Sequence, residues 1–140
     1  MQRQIAVVTV GVADLARSRH FYTRGFGWEP VFANEEIIFY DMNQLMFGTF
    51  IEQAMQAELC RPSFKRPAAL AMTHIVSERE QVQIVIDKLS AAGGLILRNA
   101  DEPHYGGFRG YVTDPDDNTW EIAWNASWKA DEQGSLIFGI

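Results

Sequence analysis

Few side chains in this sequence have the chemistry to bind or react, and the most informative sits near the end of the chain. In Thr119-Trp-Glu-Ile-Ala-Trp124, bulky apolar residues alternate with small or polar ones. Successive side chains of a strand point to opposite faces, so Trp120, Ile122 and Trp124 cover a core while Glu121 faces away from it among small neighbours. A carboxylate in mid-strand is either a solvated edge residue or a partly enclosed group whose charge needs a partner. The flanking tryptophans favour the enclosed reading. On the preceding run, Phe108 to Thr113, the same alternation places Tyr111 where it can share that face. The three histidines are harder to assign. His74 lies in an apolar run whose register puts it on the Glu121 side or, after a slip of one residue, toward a helix. His20 stands among arginines and is expected to be exposed. His104 lies in Asn99-Ala-Asp-Glu-Pro-His-Tyr-Gly-Gly107, a loop that could cover the mouth of a cavity.

The elements that must position these groups follow a repeated order. Ile5 to Val12 is rich in β-branched residues and reads as a strand. Asp14 offers a cap for a short helix from Leu15 to Arg24, closed by Gly25. Strand-like runs follow at Trp28–Ala33, Ile37–Asp41 and Leu45–Ile51. A helical turn from Glu52 to Leu59 and the proline-containing connector Arg61 to Pro67 lead into a second half. That half opens with the run Ala69 to Val76. Ser77 and Glu80 have capping-box spacing, and Val82, Val85, Ile86, Leu89 and Ala92 form a stripe of helical period ending at Gly93-Gly94. Strands at Leu95–Arg98, Phe108–Thr113 and Thr119–Trp124 complete it, the last two joined by Asp114-Pro-Asp-Asp-Asn118. The fold class is therefore α+β: two tandem βαβββ modules, about 5–51 and 69–124, form a curled mixed sheet around a cavity with helices on the outer face. The whole of 1–140 reads as one domain with a connector at 52–68. The tail 125–140 ends in an apolar stretch that could add a strand or meet a second subunit.

This order, the opening Val10-Gly-Val-Ala-Asp-Leu-Ala-Arg-Ser-Arg-His-Phe-Tyr22 and the ending Gly110-Tyr-Val-Thr-Asp-Pro-Asp-Asp-Asn-Thr-Trp-Glu121 resemble the vicinal oxygen chelate superfamily. That group holds glyoxalase I, bleomycin and fosfomycin resistance proteins and extradiol dioxygenases. One departure is Asp117, where the turn usually carries glycine and needs a positive φ. The resemblance implies a divalent metal held on the concave face by His and Glu ligands, the first of them seven residues before the helix-capping Asp. That count from Asp14 reaches Val7, and in the second module it reaches Leu70 or Ala71. The late strand Leu45 to Phe50 offers no carboxylate or imidazole. Only Glu121 matches a ligand position, and a metal site needs at least three converging donors.

Two functions remain. The first is a metal-free small-molecule-binding protein with an aromatic-lined cavity, of the resistance-protein type. Its ligand-binding set is Glu121, Tyr111, Thr9, Phe47 and His104, with no cofactor, and the resemblance implies a homodimer. The second is a metal-dependent lyase, isomerase or dioxygenase using Glu121 and His74. Composition narrows the partners. With 12 Lys and Arg against 18 Asp and Glu, the net charge is −6, which disfavours nucleic acid and attracts cations. No apolar stretch is long enough for a membrane span. The single cysteine, Cys60, excludes an internal disulfide and suits a reducing cytoplasm.

Overall fold

The computed structural model describes residues 4–64, 69–132 and 135–138. Strand β1 (Val7–Val12) leads into helix α1 (Leu15–His20), which widens into a π-helical segment, Phe21–Phe26. Strands β2 (Phe32–Ala33), β3 (Ile37–Asp41) and β4 (Met46–Ile51) follow, then helix α2 (Glu52–Glu58). The second half repeats the order with β5 (Ala71–Ile75), α3 (Gln81–Ala91), β6 (Leu95–Asp101), β7 (Phe108–Thr113) and β8 (Thr119–Trp124). Each half makes a four-stranded sheet, ordered β1-β4-β3-β2 and β5-β8-β7-β6. In both, the first strand of the module runs parallel to the last, and the remaining pairs are antiparallel. The sheets do not close into a barrel. The tail adds a hairpin of β9 (Trp128–Ala130) and β10 (Leu136–Phe138).

Several boundaries differ from the sequence reading, each for a local reason. Asp14 caps α1 as expected, its side chain accepting from the amide of Arg17 at 2.8 Å. The helix ends not at Gly25 but at Gly27, whose φ of 77° suits glycine. Gly25 has a packing role instead: a Cβ there would lie 2.7 Å from the Cδ2 of Leu89 on α3. Helix α3 starts at Gln81 rather than Ser77. The Gln81 side-chain oxygen accepts from Ser77 Oγ and from the amide of Glu78, so the capping box with Glu80 does not form. The run Trp28 to Ala33 yields strand only at its end, because Trp28 turns inward and stacks on Phe26 with ring centroids 4.2 Å apart. Asp117 has a φ of 69°, so the turn does adopt the left-handed conformation. Residues 65–68 of the connector lie outside the described residues.

Both halves feed one core. Val10, Val12, Tyr40 and Phe47 come from the first sheet, Val82, Ile86 and Leu89 from α3, and Val112, Trp120 and Ile122 from the second sheet. At its centre Tyr22, fully buried, meets the rings of Phe21, Phe26, Trp28, Tyr40, Phe47 and Trp120. A phenol so placed must donate its proton to something. It donates to Asp114 Oδ2 at 2.7 Å, and it accepts from the Trp120 indole at 3.2 Å. The other donors to Asp114 come from its own turn, the amides of Asp116 and Asn118 and the Asn118 side chain. Burial still raises the Asp114 carboxyl above the usual range, and burial next to that carboxylate holds the Tyr22 phenol well above its own. Asp116 reaches across to the first module, accepting from the amide of Ala13 at 2.9 Å and from Arg17 at 2.8 Å. Replacing Asp114 by Ala strands Tyr22, Asn118 and two amides without an acceptor, and should cost about 3 kcal/mol of folding stability in urea titrations.

Candidate functional site

Because Trp120 and Ile122 point into the core, the opposite face of the second sheet is where Glu121 lies. The strand register places Thr73, Glu121, Tyr111 and Arg98 side by side across β5, β8, β7 and β6. Glu121 is half-buried and accepts two hydroxyl protons, from Thr73 at 2.7 Å and from Tyr111 at 3.0 Å. One step along the strands, Ala123, Arg109 and Asp101 form the next row. Asp101 accepts from Arg98 Nε and Nη2 at 3.1 and 2.6 Å, and from Nη1 of Arg109. The Arg109 guanidinium lies 5.7 Å from the centroid of the Tyr111 ring. Partial burial, then the Glu121 charge, push the Tyr111 phenol upward. The hydrogen bond from Arg98 holds the Asp101 carboxyl below its usual range.

Tyr111 and Glu121 are thus brought together as expected, while the rest of the predicted set divides. His74 is opposite Ile122, with its ring 5.4 Å edge-on to Phe26 and 6.3 Å from Trp28. It points to the core, on the other side of the sheet from Glu121, so these two residues do not share a metal. Phe47 is only 2% exposed and packs against Tyr22 and Trp120, so it belongs to the core and not to a cavity wall. Its neighbour in register, Val8, shares that inward face, which leaves Thr9 on the outer one. His104 is exposed in its loop beside Tyr105, with 5.2 Å between ring centroids. Arg109 was legible by its spacing of two from Tyr111 and was missed. Asp101 was not legible beside Arg98: residues three apart in a regular strand face opposite ways, and register shifts in β6 bring the two together.

The positions that the resemblance assigns to a metal do not fit one. Val7, Gly48, Ala71 and Thr73 share the outward faces with Glu121, and none of the first three has a donor side chain. Among the described residues, no three His, Cys, Asp or Glu side chains gather at one point. A cavity of about 610 Å³ lies away from Glu121. Thr9 and Gly11 meet Met55, Leu59, Phe64 and Asn118 there. Its walls are mostly apolar, whereas the converging charged and hydroxyl groups that mark a binding site lie on the Glu121 face.

A paired βαβββ fold with a carboxylate on the outward face of the last strand defines a glyoxalase-like class of protein. Residues 4–122 match the model of the glyoxalase/bleomycin resistance protein/dioxygenase superfamily, and the chain belongs to that family. It is similar to a glyoxalase-related enzyme from Fulvimarina pelagi, with 45% identity and a TM-score of 0.96 over 99% of this chain and 100% of that one. A family enzyme from Burkholderia phytofirmans PsJN shares the fold at 19% identity, with a TM-score of 0.77 over 85% of this chain and 96% of that one. A lactoylglutathione lyase from Agrobacterium tumefaciens shares it at 18%, with a TM-score of 0.68 over 89% and 96%. Among the described residues no helix is long and apolar enough to cross a membrane.

Burial lowers the pKa of His74, so the folded state favours its neutral form. The unfolded chain binds this proton more tightly, and stability should fall as pH drops below about 6.5. Urea midpoints measured from pH 7.5 to 5.0 should decline less steeply in His74→Leu than in the parent chain.

Proposed function

We propose that this chain is a small-molecule-binding protein that works without a divalent metal and holds a cationic group of its ligand at Glu121. One observation carries the reading: the Glu121 carboxylate, on a face turned from the core, takes two neutral hydroxyl donors and, among the described residues, no cation. Its charge is oriented but not neutralised, which suits an ammonium group from outside. The net charge of −6 favours the approach of such a ligand. A lone carboxylate is also too few donors for a catalytic metal, which disfavours the lyase, isomerase or dioxygenase reading.

A second copy of the chain would complete the site. Both sheets place one face on the shared core, so neither closes over the other's outer face. The first sheet's outer face carries Phe39 and Phe32, with ring centroids 6.0 Å apart, and the Phe32 side is 49% exposed. An aromatic wall of this kind set across from Glu121 would enclose an organic cation. We place this dimer in the cytoplasm, where the exposed Cys60 stays reduced.

Benzylamine titrated into metal-free protein should quench the fluorescence of Trp120 and Trp124, and Glu121→Gln should weaken that binding at least tenfold. Elemental analysis after incubation with Ni²⁺, Zn²⁺, Mn²⁺ or Fe²⁺ should find no stoichiometric metal. Bound metal that disappears in Glu121→Ala would reverse the assignment.

A further inference from the structure

Arg109 is the most enclosed charge on the Glu121 face, with its side chain 10% exposed, and its hydrogen bonding is incomplete. Among the described residues only Nη1 is used, on Asp101. Nε is buried without a partner, and Nη2 has none among the described residues. The carboxylate it meets is already shared, since Asp101 also takes two bonds from Arg98. Two guanidiniums around one carboxylate leave an excess positive charge, and an enclosed charge left unmatched is costly. The unused donors of Arg109 form one edge of the guanidinium, the two-pronged edge that matches two oxygens of a planar anion.

We propose that this free edge of Arg109 is a carboxylate subsite, so that the ligand carries an anionic end at Arg109 and a cationic end at Glu121. The second part rests on the function proposed above. The two residues lie in adjacent rows on the same face, two residues or about 6.8 Å apart along the strands. The Tyr111 ring lies between them, its hydroxyl on Glu121 and its face toward Arg109, and offers a surface for the body of the ligand. A phosphate dianion suits the place less well. Asp101 and Glu121 both stand nearby, and the two arginines exceed Asp101 by only one positive charge. The loop before β7 borders this face: Gly106 and Gly107, which lead into the strand, both have positive φ, at 92° and 84°, and Tyr105 just before them is 69% exposed. That loop has the backbone freedom to admit a ligand to the start of β7.

The test uses the intact protein and four probes: benzylamine, benzoate, 4-(aminomethyl)benzoate and inorganic phosphate. Benzoate should shift the Arg109 Nε–H resonance in NMR titrations, a readout that needs no variant. 4-(Aminomethyl)benzoate should bind at least tenfold more tightly than either single-charge probe. Arg109→Lys keeps the charge but loses the two-pronged edge, and with its fold verified by circular dichroism it should weaken benzoate binding at least tenfold. Benzoate binding that leaves the Nε–H resonance in place, or no benzoate binding at all, overturns the subsite. So does a resonance that moves with phosphate and not with benzoate. If benzoate engages Arg109 while benzylamine fails to bind, the subsite stands and the cation site at Glu121 falls.

Discussion

The structure depends on one buried carboxylate. Asp114 sits in the turn between β7 and β8, and it gathers the hydroxyl of Tyr22 from one module together with the amides of its own turn. Tyr22 in turn is the hub on which the aromatic rings of both modules converge. Without an acceptor, a phenol at that point would be an unsatisfied polar group in the densest part of the core. The neighbouring Asp116 extends the same joint outward to the start of α1. Hydrophobic contact brings the modules together, but contact of that kind is not directional. The two aspartates supply directional contacts at the joint, in the turn that leads into β8 and Glu121.

The faces of the second sheet divide the labour. Core-side residues are aromatic and aliphatic, and even the titratable His74 is packed there between rings. The outer side collects two arginines, two carboxylates and two hydroxyls within two rows of strand. Each row carries one arginine and one carboxylate, Arg98 with Glu121 and Arg109 with Asp101, so each charge has a defined address. On the function proposed above, such a surface would select a ligand by the separation of its charges as well as by their sign.

The alternation of Thr119 to Trp124 was legible because bulky and small residues mark the two faces without ambiguity. The partnership of Tyr111 with Glu121 was legible for the same reason. His74 could not be placed by pattern alone, since Met72-Thr-His-Ile75 has no regular polarity and its facing is set by β8, to which it pairs. Phe47 misled because its strand carries large apolar residues on both faces: Met46 and Phe50 outward, Phe47 inward. The helix ends were misjudged where local rules met tertiary demands. Phe21 and Tyr22 are both fully buried at the start of a π-helical segment, and glycine at position 25 answers a contact with α3 that is distant in sequence. The bulged strand β6 left no mark in the sequence, so the pairing of Arg98 with Asp101 was out of reach.

The residue at the hub of the core belongs to the first half of the chain and its acceptor to the second. If the halves began as copies of one ancestral unit, they have since become obligate complements. Each lacks a part that only the other supplies, and the two serve different ends: one half contributes the pivot, the other the charged surface. Drift in either is therefore policed by its sibling, and the gene is inherited as a matched set whose members have lost the freedom to be exchanged.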